Sequence, residues 1–327
     1  MDLVQARQVA LDAVLSASRV CQAVQRRLVA GAALEKGDKS PVTVADFAAQ
    51  AVVSHHLGEA FGHVPLVGEE DAAALRDPAN EAMKRGVLAA VGDVLPGLTE
   101  EQVLAAIDRG TYEGGPEGMH FTLDPIDGTK GFLRMDQYAV ALALIDEGEV
   151  VMGVLGCPNL PVADGADEKG CLFSAHKGAG ATMRTLDDTA ERAVTVSTEA
   201  ELAAARFCES VEKAHTNQSH SGRVAELLGI TQPPYRIDSQ CKYAAVARGD
   251  ASIYLRLPTK PGYVEKIWDH AAGWAVVTEA GGQVTDVYGK PLDFGRGRRL
   301  EDNKGVITTN GRFHDEVVAA VRKVLEL

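Results

Sequence analysis

Apolar residues recur at helical spacing from the start of the chain. Leu3, Ala6, Ala10, Val14, Ala17, Cys21, Val24 and Leu28 share one face of a 3.6-residue period. The pattern predicts a first helix, ended by the polar stretch EKGDKSP. VTVADFAAQAVVSHHLGEAFG then predicts a second helix, starting near Thr43, whose hydroxyl would cap it, and stopping at Gly62. At VPLVGEED the pattern becomes a short apolar run breaking into acids, a strand that would deliver Glu69 and Glu70 at its end. Helical spacing returns in NEAMKRGVLAAV and TEEQVLAAIDRG. MHFTL reads as a strand, and YAVALALIDEGEVVMGVLGCP alternates around Glu147 and Gly148, which predicts a hairpin.

Near residues 185 to 195 the composition turns polar and charged in TLDDTAERAV, the candidate boundary between an N-terminal half, 1–190, and a C-terminal half, 191–327. Beyond it, strands (RFCES, YRIDS, ASIYLRL) alternate with helices (RVAELLG, KYAAVARG, WDHAAGWAVVTEAGG), and a last helix runs from Arg312. That rhythm predicts an α/β second half after an α+β first half. HKGAG has the glycines of a phosphate loop but no following strand–helix spacing, so it reads as a hairpin turn.

The bulk properties narrow the function. A chain of 327 residues is long enough for roughly two domains or one large α/β unit. The formal net charge of −13 argues against a nucleic-acid or anionic-membrane surface, though a few local cations can still hold a small anionic substrate. The five cysteines are odd in number, scattered and without a C-x-x-C pair, which points to neither a disulfide framework nor a zinc site. Asp2, Arg7 and Asp12 break any secretory apolar run, and no stretch approaches the ~18 uncharged residues of a membrane span. A cytoplasmic monomer is the expectation.

HFTLDPIDGTKGF, residues 120 to 132, carries the chemistry. Pro125 stiffens the backbone between Asp124 and Asp127, so both carboxylates can point to one side with the Ile126 carbonyl between them. Two close carboxylates repel unless one is protonated or a cation sits between them, and an oxygen-only set suits Mg²⁺. Thr129 and Gly131 can offer amides to an anion if a helix starts there. A solvated turn is the competing reading, and an EF-hand fits poorly because the acids fall at the wrong positions. Elsewhere the signals are weaker. Glu69 can be a solvated acid, Asp46 a surface residue, and Asp269 a dipole-favouring acid in the first turn of its helix.

The ordered set SPVTVAD, VGEED, DPIDGTKGF and WDHAAG…EAGG resembles the lithium-sensitive, magnesium-dependent phosphatase superfamily of inositol monophosphatase and fructose-1,6-bisphosphatase. The resemblance runs from about residue 5 to the end. VEKAH, DSQCKY, YLRLP and EKIWDHAAG look like its bisphosphate nucleotidase branch. The resemblance implies a layered αβαβα sandwich, α/β and α+β in class, with the site between the halves. It also implies about two or three Mg²⁺ ions, held by Glu69, Asp124, Asp127, Asp269 and the Ile126 carbonyl. Asp46 and Thr129 would orient the attacking water. Thr129, His215, Ser239, Lys242, Arg256 and Asp269 would hold adenosine 3′,5′-bisphosphate, whose 3′-phosphate is removed. 3′-Phosphoadenosine 5′-phosphosulfate is implied as a second substrate, and lithium as an inhibitor. An inositol phosphate phosphatase is the rival within the superfamily, and a non-catalytic sensor of the nucleotide the rival outside it. His215 also reads as a satisfied buried histidine, Arg256 as a strand-end surface charge and Ser239 as a helix cap.

Overall fold

In the computed structural model, residues 1–31, 40–211, 218–258 and 262–327 are described. Two long helices open the chain, α1 (Leu3–Gly31) and α2 (Ser40–Phe61). α2 begins at Ser40 rather than near Thr43, with Pro41 in its first turn, where a missing N–H and a fixed φ cost nothing. The chain continues through β1 (Leu66–Gly68), α3 (Glu81–Gly92), α4 (Glu100–Asp108), β2 (Met119–Asp127) and the short α5 (Thr129–Leu133). The hairpin of β3 (Ala139–Asp146) and β4 (Glu149–Pro161) turns at Glu147 and Gly148 as expected. β5 (Lys169–His176), β6 (Ala181–Thr185) and β7 (Arg192–Val194) complete a seven-stranded sheet in sequence order, antiparallel except where β1 meets β2. The polar stretch at 185 to 195 therefore includes the last strand of the first sheet. HKGAG is the β5–β6 turn, and its Gly178 and Gly180 amides donate to the two Glu279 carboxylate oxygens at 2.9 Å.

The second sheet is mixed and five-stranded. It is built from β8 (Phe207–Glu209), β9 (Tyr235–Arg236), β10 (Ile253–Arg256), β11 (Gln283–Thr285) and β12 (Val306–Thr309), in the order β11-β12-β10-β8-β9. Between them run α6 (Gln218–Leu228), α7 (Cys241–Arg248) and α8 (Ala271–Glu279), and α9 (His314–Leu325) ends the chain. Three hydrophobic clusters define the layers: α1 and α2 on one face of the first sheet, α7 and α8 between the sheets, α6 and α9 outside the second.

The sequence of β3 shows how the layers are spaced. Val140, Leu142 and Leu144 face the first cluster, while Ala139, Ala141 and Ala143 face the second. Alternation sends successive side chains to opposite faces, so a large face meets the long helices and a small face lets α8 approach closely. On neighbouring β4, a Cβ at Gly153 would lie 2.6 Å from the Ala272 carbonyl oxygen.

Candidate metal and phosphate site

β2 runs on through Asp124-Pro125-Ile126-Asp127, past the MHFTL strand read from the sequence and in place of the competing solvated turn. Strand alternation alone would put residues three apart on opposite faces. Here the register shifts: Asp124 faces Ala141 and Asp127 faces Ala139, so the chain spends one extra residue. Pro125 brings no ladder donor at that point. The bulge rephases the strand and turns both carboxylates into one cleft.

Gly128 follows at φ 93° and opens α5 at Thr129. A Cβ there would stand 2.7 Å from the Ser239 Cβ. Only glycine gives both the left-handed backbone and that approach. Ser239 is left-handed too, at φ 65°. Its hydroxyl donates to the Asp238 carbonyl at 2.6 Å and accepts from the Cys241 amide at 3.2 Å, so it does support the start of α7.

Asp269 lies before α8, whose first residue is Ala271, and not in its first turn. The Trp268-Asp269-His270 turn presents its carboxylate to the cleft, where oxygens of Asp124, Asp127 and Asp269 all lie within 4.8 Å of one another. Glu69 follows β1 at the rim and lines the same cleft as Asp124, and its charge adds to the cost of ionising Asp124. The cleft is about 520 Å³ and also takes in Ile126, Thr129, Ser239, Lys242 and Arg256.

The carboxyls of the cleft act on one another through their charges. Burial raises Asp124 well above the carboxylate range, and the charges of Glu69, Asp127 and Asp269 add to it. Glu69 is open to water yet walled by the cleft, and it is pushed up by that burial and by Asp269. Asp127 is raised by burial and Asp269, with Lys242 and Arg256 opposing. One Asp124 oxygen, Oδ1, is buried with no hydrogen-bond partner. A buried acceptor without a donor is costly, and three converging carboxylates with Glu69 at the rim, an oxygen-only set, fit a hard divalent cation such as Mg²⁺.

Asp46, on α2, is also raised well above its usual range by burial and by Glu70 and Glu69. Among the described residues no hydrogen bond joins it to Thr129, which is exposed at the head of α5. His215 lies outside the described residues. Lys242 is buried, 5% exposed, on α7. Its ammonium sits 5.2 Å from the Tyr254 ring centroid, makes no ion pair among the described residues, and has its pKa lowered by burial against the pull of Asp127. Arg256, at the end of β10, is not a free surface charge. Its Nε donates to Glu265 at 2.8 Å and its Nη2 lies 3.5 Å from Asp269.

Three positioning residues escaped the sequence reading. The Gln240 amide donates to Asp127 at 2.5 Å, while its side chain donates to the Trp268 carbonyl at 2.9 Å and accepts from Gly273 at 3.1 Å. One residue thus registers Asp127 against the Asp269 turn. Gln50, one turn along α2 from Asp46, accepts from the Glu70 amide at 3.0 Å and donates to the Glu70 carbonyl at 2.5 Å. Arg298 donates to the Gly68 carbonyl and, at 2.9 Å, to that of Tyr112. Nothing in the sequence singles out these amides and this arginine, because they act through backbone atoms whose placement only the fold supplies.

The layered sheets recur in solved structures of known proteins. The chain belongs to the inositol monophosphatase family, whose model matches residues 2–326. Its fold matches that of an IMPase from Thermotoga maritima, with TM-score 0.65 and 21% identity over 100% of this chain and 99% of that one. Within the family it is similar to 3′(2′),5′-bisphosphate nucleotidase 1 of Arabidopsis thaliana, 48% identical over 94% of this chain and 92% of the relative. It is likewise similar to the 3′(2′),5′-bisphosphate nucleotidase of Emericella nidulans, 46% identical over 90% and 91%.

Proposed function

We propose that this chain is a magnesium-dependent phosphomonoesterase that removes the 3′-phosphate of adenosine 3′,5′-bisphosphate and leaves AMP, with 3′-phosphoadenosine 5′-phosphosulfate as a second substrate. The observation that carries this reading is Lys242, a buried cation without an ion-pair partner among the described residues, in one cleft with the carboxylate cluster. An ion taken out of water costs on the order of several kcal/mol unless it is paired, so an anionic group of the substrate is its fitting counter-ion. The carboxylate cluster handles one phosphate through cations; Lys242 and Arg256 handle a second anionic end. The names of the relatives point to the same substrate.

In this reading Glu69, Asp124, Asp127, Asp269 and the Ile126 carbonyl hold about two or three Mg²⁺ ions, which neutralise the phosphate and lower the pKa of the attacking water. Asp46 and Thr129 orient that water, through a contact that closes with substrate in place, as hydrogen bonds of this kind do. Ser239, Lys242, Arg256 and His215 hold the nucleotide, Thr129 and Asp269 the reacting phosphate. The halves 1–190 and 191–327 contribute the metal-binding and the nucleotide-binding sides. The protein acts as a cytoplasmic monomer in sulfur metabolism, away from nucleic acid and membrane, and lithium inhibits it.

The test is phosphate release from adenosine 3′,5′-bisphosphate, inositol 1-phosphate and inositol 1,4-bisphosphate, with and without Mg²⁺, by the native chain and by Asp127→Asn. Magnesium-dependent release from the nucleotide, lost in the variant, is the expected outcome. Release from the inositol substrates alone overturns the choice of substrate and keeps the metal site. Nucleotide binding with no release from any of them favours a sensor.

A further inference from the structure

Behind Arg256 a chain of side chains runs away from the cleft. Glu265 Oε2 accepts from Arg256 Nε at 2.8 Å and faces His270 Nε2 at 3.2 Å; on the other side of the ring, His270 Nδ1 meets the Tyr243 hydroxyl at 2.7 Å. Tyr243 and His270 are fully buried and Glu265 nearly so. The carboxylate can only accept, so Nε2–H donates to it, while Nδ1 and the phenol share the bond on the other side of the ring. The chain links α7, β10 and the turn that carries Asp269.

From this geometry we infer that Glu265 is a positioning residue: it holds Arg256 by Nε, so that the Nη groups face the substrate anion and Nη2 keeps to a long contact of 3.5 Å with Asp269 instead of closing a two-pronged pair. The inference rests on the reading of Arg256 as a nucleotide-binding residue. Arg256 Nη2 stands 3.5 Å from Asp269 Oδ2, at the loose end of an ion pair, and 3.3 Å from the Tyr263 hydroxyl. A guanidinium released from Glu265 already has the Asp269 carboxylate within reach. Guanidinium and carboxylate favour a two-pronged pair. Such a pair would remove Arg256 from the substrate and a carboxylate from the cation cluster at once. His270 and Tyr243 prevent this by fixing the direction in which Glu265 pulls. His270 is itself rooted in the backbone beside Asp269, so the clamp and the carboxylate it protects move as one unit.

Native protein, Glu265→Gln, Arg256→Ala and the double variant form the test, with kcat and KM measured for adenosine 3′,5′-bisphosphate at saturating Mg²⁺, and the Mg²⁺ half-saturation measured separately. Glu265→Gln is expected to raise KM about tenfold, the scale of one lost charged hydrogen bond, with kcat much less changed. It also raises the Mg²⁺ needed for half-saturation, and the double variant matches Arg256→Ala alone in KM. Calorimetric binding of AMP to EDTA-treated protein weakens in Glu265→Gln by a similar factor, a readout free of turnover. Losses that multiply in the double variant, or a Glu265→Gln whose only defect is a lower melting temperature, overturn the inference. If Glu265→Gln fails to fold, Tyr243→Phe unfixes the same chain from its far end. A smaller rise in KM, absent in the Arg256→Ala background, is then expected; an unchanged KM counts against the clamp. Failure of the nucleotidase reading shows in the native chain; failure of the clamp shows in the cycle.

Discussion

Gln240 illustrates how much a residue without chemistry of its own can decide. Its amide fixes Asp127, and its side chain fixes the turn carrying Asp269. Gln240→Ala keeps the first bond and loses the other two. The expected cost is on the order of 2 kcal/mol of stability for two buried hydrogen bonds, with kcat falling more than KM because the carboxylates lose register. Thermal melting beside steady-state kinetics checks this, and an unchanged kcat would remove Gln240 from the site. Lys242→Met makes the opposite prediction. KM for adenosine 3′,5′-bisphosphate rises strongly while that for 3′-AMP, which lacks the second phosphate, moves little. The acids were legible because aspartates around a Pro-Ile pair, followed by Gly-Thr, form a rare string. Asp269 was found but misplaced, since a carboxylate near a helix start reads as a dipole-favouring acid until the backbone shows α8 beginning two residues later.

At the level of elements, the bulge in β2 is the device on which the cleft depends. A regular strand would send Asp124 and Asp127 to opposite layers, and the left-handed Gly128 then has to bring α5 against Ser239. Gly128→Ala adds a left-handed strain of roughly 1–2 kcal/mol and a Cβ overlapping that of Ser239. The expected outcome is a large loss of kcat with the far-ultraviolet circular dichroism unchanged, because the strain is local to the junction and the sheets do not pass through it. Most elements were legible in the sequence. Period-two alternation gave the β3–β4 hairpin, and helical spacing gave α1, α3 and α4. The beginning of α2 was not, because a Thr near the expected start is as plausible a cap as the actual Ser-Pro opening. The bulge was hidden as well: a proline between two acids reads as a turn, and the neighbouring strand that keeps it in a sheet lies elsewhere in the sequence.

For the whole molecule, the raised carboxyls of the cleft set how stability responds to pH and to metal. Glu69, raised from 4.5 to about 7, binds protons more tightly in the folded state than in the unfolded chain. Asp124 and Asp127 share the sign. Folding stability in the absence of metal therefore falls as pH rises between about 4.5 and 7. With EDTA the melting temperature should drop from pH 5.5 to pH 8, and added Mg²⁺ should restore it mainly at pH 8, where it meets ionised carboxylates. A melting temperature that is flat with pH, or equally raised by Mg²⁺ at both values, counts against a shared cation site. A net charge of −13 was legible from composition alone. That the acids of this one cleft would be neighbours was legible only through the family resemblance and not through composition or spacing, since they come from the end of β1, the bulge and the turn before α8.

That division of the acids has a consequence for the making of the protein. Glu69, Asp124 and Asp127 leave the ribosome long before the Trp268-Asp269-His270 turn, and Gln240, which registers the two sides, also comes late. A growing or prematurely terminated chain therefore carries the proposed ligands of its first half without the partner that completes them. On the proposed ligand set, an unfinished polypeptide would not yet attack phosphate esters, because that set closes only with the layers made last.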